Sequence, residues 1–165
     1  HHLHLTEHDI SDFDTQCHVR PPLRSKKDRE ALRRALKSGV LGAICSDHQP
    51  HEPDAKLAPF AQSEPGISAL ETLLPLTLRL VDENVLELAE AIALLTNKPA
   101  QILGIEAGQL SIGATADVCV FDPKLTWTLT EDQIVSRGRN TPFLGREFRG
   151  QVTHTLVGGK LVFER

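Results

Sequence analysis

The 165-residue chain contains no methionine and no tyrosine, and its six phenylalanines and one tryptophan make up the 4% aromatic content. So few rings exclude an aromatic-rich interior and leave the core to Leu, Ile, Val and Ala. A complete translation product opens with Met, so the missing residue sets the expectation of a processed chain or a piece of a longer one. Cysteines are three, an odd and widely spaced set with no C-x-x-C pair. That excludes a disulfide framework or a zinc ribbon and leads us to expect a reducing, cytoplasmic setting. Cys45 and Cys119 lie inside apolar runs and are expected to act as small core residues. Positive charge is also short: the formal balance is −4, which argues against a nucleic-acid partner. No apolar run approaches the roughly 20 residues that cross a bilayer, so no membrane partner is expected. With 40% hydrophobic and 24% charged residues, the chain can bury a core and is not expected to be disordered.

Helical spacing of Ala31, Leu32, Ala35 and Leu36 predicts a helix over 28–38, stopped by Gly39. The run Val40–Cys45 reads as a short strand buried on both faces, the kind found in parallel sheets flanked by helices. Gly66 opens a second helical stretch over 66–83, in which Pro75 predicts a kink or a fresh start. Further helices are expected near 86–95 and 99–103. Beyond Gly104 the chain changes character. Repeated glycines separate short Val-, Thr- and Phe-rich segments; 117–121 reads as a strand, and 156–163 as a hairpin turning on Gly158-Gly159. The fold class is therefore α/β, an α/β half followed by a small β half, without internal repeats.

Seven of the eight histidines fall within the first 51 residues. In parallel α/β folds functional groups gather at the carboxyl ends of strands, and Ser46-Asp47-His48-Gln49-Pro50-His51 occupies that place after Val40–Cys45. A carboxylate there can ligate a divalent metal, serve as general base, or do both in turn. The same residues would equally suit a turn cap with two solvated imidazoles. His2-Leu3-His4 has the alternation that aims two imidazoles at one metal, and it equally fits the remnant of a histidine tag. In Arg20-Pro21-Pro22-Leu23-Arg24 the prolines keep the backbone extended, and each guanidinium could fork onto a carboxylate or stay solvated.

Taken in order, HHLHLTEHDI, VRPPLRSKKDREAL, ICSDHQPHEPDAK, EPGISALETLLPL, LTNKPAQILGIEAGQLSIGATADVCVFD, RGRNTPFLG and TLVGGKLVFE resemble dihydroorotase of the long-chain type, in the amidohydrolase superfamily. The resemblance covers nearly the whole chain, yet only the end of the family's plan. It implies the last part of a metal-dependent (β/α)8 barrel over 1–103, then strands of a small β-sandwich over 104–165. His1 and His2 then match the end of the seventh barrel strand and are not family metal ligands. Asp47 matches the eighth-strand aspartate, a metal ligand that also shuttles the proton while a metal-activated hydroxide attacks the cyclic amide. His51 matches a substrate-contacting histidine, and Pro65 and Gly66 fall where backbone groups meet substrate. The implied cofactor is Zn2+, one or two ions, with most ligands upstream of this chain. The implied reaction interconverts N-carbamoyl-L-aspartate and (S)-dihydroorotate in pyrimidine biosynthesis.

Three stretches depart from the family pattern: Arg20 stands where a substrate-contacting Asn is usual, Glu64-Pro65-Gly66 replaces Pro-Phe-Gly, and Ser46-Asp47-His48-Gln49-Pro50-His51 replaces the more usual Thr-Asp-His-Ala-Pro-His. A longer, charged side chain at 20 implies a changed substrate pocket. The departures bring in a second expectation, a non-catalytic dihydroorotase-like partner of aspartate carbamoyltransferase. Allantoinase and hydantoinase share the metal plan but match the Arg-Asn-Thr-Pro-Phe block less well. A homo-oligomer is expected on the same resemblance. One carboxylate cannot complete a catalytic zinc site, so the 165 residues alone are expected to be inactive, with exposed apolar edges and poor solubility.

Overall fold

The computed structural model describes residues 1–165. Four α-helices precede three strands: α1 Lys26–Lys37, α2 Leu70–Asp82, α3 Leu88–Ala93, α4 Asn97–Leu103, β1 Val118–Thr128, β2 Glu147–Val157 and β3 Lys160–Glu164. A capping box starts α1: the Ser25 hydroxyl accepts from the Asp28 amide at 3.3 Å, and the Ser25 amide donates to the Asp28 carboxylate at 3.2 Å. Arg33 fastens α1 to its surroundings. Its Nε donates to the Leu3 carbonyl at 2.8 Å, and its Nη1 meets Glu83 Oε2 at 2.7 Å, just past the end of α2.

α2 is continuous through Pro75, where a kink or new start was expected. The ring removes the bond to the Glu71 carbonyl, and burial of Pro75, Leu76, Leu78 and Leu80 offsets that loss, so the helix runs on past it. The antiparallel sheet runs β1-β2-β3, its β2–β3 hairpin turning on Gly158-Gly159 as the sequence predicts. α2 lies against β2, where Gly150 leaves room for Leu78: a Cβ at that glycine would collide with Leu78 Cδ1. Next to this contact Trp127 Nε1 donates to the Gly150 carbonyl at 2.9 Å. A buried cluster joins Leu5, Val19, Leu23, Ile67 and Leu76 to Leu129, Phe143 and Phe148, drawing on both sides of Gly104. A second unites Leu36, Leu80, Leu86, Ala91 and Leu94. The chain carries one sheet, and no second sheet faces it.

Two expectations need correction. Val40–Cys45 forms no strand: the chain bends at Val40 and Leu41, and Val40 is 78% exposed. No neighbouring strand offers a ladder; Ile44 instead donates to the Leu94 carbonyl at 3.0 Å. Cys45 and Cys119 are exposed, and Cys17 is the buried thiol. Apolar neighbours in sequence bury a cysteine only where both faces of its segment are covered. Exposed apolar side chains do recur, with Leu103 at the end of α4, Leu110 and Ile112 in the link to β1, and Leu161 and Val162 in β3. No helix is long and apolar enough to cross a membrane.

Candidate active site

The polar loop after Cys45 is held against the stretch that leads into α2. His48 and Ile67 form a parallel bridge, and the Gln49 amide donates to the Ile67 carbonyl at 2.9 Å. His48 is not a solvated imidazole: its Nδ1 accepts from the Ala69 amide at 3.0 Å, at the start of α2. Asp47 sits in the left-handed region, φ 48, a conformation that Asp tolerates better than most residues. It is exposed, and Gln49 Nε2 donates to its Oδ1 at 2.9 Å, leaving Oδ2 unengaged.

His51, Pro65 and Gly66 are brought together. His51 Nε2 lies 3.0 Å from the Pro65 carbonyl, which can only accept, so that nitrogen carries the proton. Gly66 has φ +136, and a Cβ there would lie 2.5 Å from Gln49 Cβ. Only glycine permits this approach of the two segments. Arg20 is not drawn into the group. Val19 is in the core, but the Arg20 side chain is exposed, with no hydrogen bond or ion pair to Asp47, His51, Pro65 or Gly66.

Three further residues complete the frame. Asn140 is 5% exposed. Its Oδ1 accepts from the His51 amide at 2.7 Å, while its Nδ2 donates to the carbonyls of Gln49 and Gly66, each at 3.0 Å. Lys56, also buried, donates from Nζ to the Glu64 carbonyl at 2.6 Å. Burial pushes its pKa below the usual lysine value, against the pull of Asp14 and Glu64. His18 accepts the Gly66 amide on its carbonyl at 2.8 Å, and its Nδ1 lies 2.9 Å from Ser63 Oγ. Burial, then the charge on Lys56, lowers the His18 pKa. Sequence reasoning assigned none of the three a role, although Lys56 closes the HEPDAK run and Asn140 lies within RGRNTPFLG. His51, Lys56, Arg139 and Asn140 share the wall of a polar cavity of about 500 Å³, a size that suits a small molecule.

The resemblance implies a metal, so the donor set matters. Buried imidazole nitrogens of His1, His2 and His4 have no hydrogen-bond partner, and Asp47 exerts a charge effect on His2. Even so, no group of three or more His, Cys, Asp or Glu residues is arranged to hold an ion. The residues of this chain do not by themselves fit a metal centre.

The profile of the Amidohydrolase family matches residues 1–162. A dihydroorotase-like protein of Pseudomonas aeruginosa is 49% identical over 162 residues, covering 98% of this chain and 38% of its own length. A dihydroorotase of Geobacter metallireducens is 44% identical over 165 residues, covering 100% of this chain and 39% of its own. The solved L-hydantoinase (dihydropyrimidinase) from Arthrobacter aurescens superposes with a TM-score of 0.90 at 28% identity, over 99% of this chain and 38% of that one. The chain thus spans well under half of each relative.

Proposed function

The chain belongs to the amidohydrolase family, and on that footing we propose that it is part of a dihydroorotase-type hydrolase of cyclic amides. The whole protein would interconvert N-carbamoyl-L-aspartate and (S)-dihydroorotate in pyrimidine biosynthesis, working in the cytoplasm as a homo-oligomer with Zn2+. Residues 1–103 would close the barrel and 104–165 supply strands of a β-sandwich. Asp47 would be this chain's contribution to the metal, the remaining ligands coming from elsewhere in a longer protein.

The observation that carries the reading is the exposed Asp47, with one carboxylate oxygen fixed by Gln49 and the other free, on the same loop as His51. In ring opening, the oxygen of the attacking water bonds to the amide carbon and its proton passes to Asp47 Oδ2. The carbon–nitrogen bond then breaks, and the departing nitrogen receives that proton. His51 and the backbone of Pro65 and Gly66 would bind the substrate. Arg20, free of internal partners, would meet a substrate carboxylate from the solvent side.

Arg20 also supports a second reading, in which the protein is a non-catalytic partner of aspartate carbamoyltransferase. The name of the Pseudomonas relative, dihydroorotase-like protein, is in keeping with it. Steady-state assays of the full-length protein on dihydroorotate and allantoin, with Asp47→Ala alongside, separate the readings. The hydrolase reading expects dihydroorotate turnover that Asp47→Ala lowers by about a thousandfold or more. No turnover by the unmodified protein, with a stable carbamoyltransferase complex that Asp47→Ala leaves intact, favours the second. Preference for allantoin would reassign the substrate.

A further inference from the structure

The polar cavity bordering the site is walled by a residue from a distant part of the chain. The Asn140 side chain makes three hydrogen bonds, and all three go to the backbone of the two loops: the amide of His51 and the carbonyls of Gln49 and Gly66. Its own carbonyl accepts from the Ser68 amide at 2.8 Å. The amide orientation is determined by its partners, because an N–H faces Oδ1 and two carbonyls face Nδ2. Two residues earlier, Gly138 lies against the same loop, where a Cβ would come within 2.5 Å of the His51 nitrogen. A segment 89 residues beyond His51 is therefore seated between the two loops.

The bonds are unevenly shared. The Asp47 end of the loop keeps independent anchors, from the Gln49 amide to Ile67 and from His48 to Ala69. The His51 amide has Asn140 as its partner, and so does the Gly66 carbonyl. Loss of the Asn140 side chain would thus release the His51 backbone relative to Gly66, with the His51 ring still tethered to the Pro65 carbonyl, while Asp47 stays in place.

Resting on the hydrolase reading above, we propose that Asn140 is a positioning residue that sets the spacing of His51 and Gly66, and so governs substrate binding rather than proton transfer. Asn140→Asp tests this most directly. It keeps the shape, but an ionised carboxylate accepts only, so it faces the Gln49 and Gly66 carbonyls without a proton to give. Asn140→Ser, smaller and still polar, is the companion should the Asp variant not fold.

The measurement is steady-state kinetics of full-length protein on dihydroorotate, with folding checked by near-ultraviolet circular dichroism. A folded variant is expected to raise KM about tenfold or more while kcat stays within about threefold. A purely structural role would lower the folded fraction and hence apparent kcat, leaving KM unmoved. Folded variants with unchanged KM, or a loss confined to kcat, overturn the positioning role while the hydrolase reading stands. An unmodified protein that neither binds nor turns over dihydroorotate overturns both.

Discussion

Gly66 packs on Gln49 so closely that a Cβ at the glycine would stand 2.5 Å from Gln49 Cβ, with its φ at +136. Two costs combine in Gly66→Ala: a backbone region that L residues avoid, and a clash against a loop already bonded to Ile67 and Asn140. The expected loss is about 2–4 kcal/mol, from strain and overpacking together. Urea unfolding of the two chains measures it. A loss below about 0.5 kcal/mol, the range of neutral surface changes, would mean that the loops are free to separate.

Arg33 ties the amino-terminal segment, α1 and the end of α2 together through Leu3 and Glu83. Its side chain is 10% exposed, and that of Glu83 is 33%. Arg33→Met keeps the apolar stem but leaves the Leu3 carbonyl without its donor. Glu83 retains Arg79 at 3.0 Å, which limits the damage. Hydrogen bonds to charged groups contribute about 1.5–3 kcal/mol, and the thermal midpoint of Arg33→Met should fall accordingly. Glu83→Gln should cost less, since it spares the bond to Leu3.

Local signals made the helices and the hairpin legible. The spacing of Ala31, Leu32, Ala35 and Leu36 marks α1, although its start at Lys26 behind the Ser25 cap lies two residues before the expected one, and Gly158-Gly159 turns the hairpin. What escaped was long-range. Val40–Cys45 has the composition of a buried strand, but strand identity depends on a neighbour, and here there is none. Asp47, His51, Pro65 and Gly66 could be singled out as residues, whereas the Asn140 clasp could not. Its bonds span 74 to 91 residues and leave no periodic trace. His48 was equally hidden, because holding the Ala69 amide looks, in sequence, like any other histidine near an aspartate.

The thiols give a direct check on burial. Cys17 is 2% exposed; burial, with Asp14 and Asp9 nearby, pushes its pKa up to about 11. Cys45 and Cys119 are exposed, although partial burial also raises the Cys119 value. Thiolate is the reactive form. An aromatic disulfide reagent near neutral pH should therefore label two thiols of the folded 165-residue chain, and the third only after denaturant is added. Three equally fast thiols would show that the cluster of Leu5, Cys17 and Val19 is open.

His4 contributes to the acid sensitivity of this chain, alongside His2 and His18, which burial lowers as well. Burial is the chief cause, helped by the amino terminus, Arg33 and Arg79, and together they lower its pKa from 6.5 to about 3. The charged form is thus disfavoured in the folded state. Above pH 6.5 both states hold neutral His4 and no penalty arises. Between 6.5 and about 3 the unfolded chain binds a proton that the folded chain refuses, so stability falls as pH falls through that window. Each unit of difference corresponds to about 1.4 kcal/mol, so the total is on the order of a few kcal/mol. Urea midpoints compared at about pH 7.5 and about pH 5 should drop for the unmodified chain and drop less for His4→Gln, which has no proton to gain. Equal drops would move the acid sensitivity to another group.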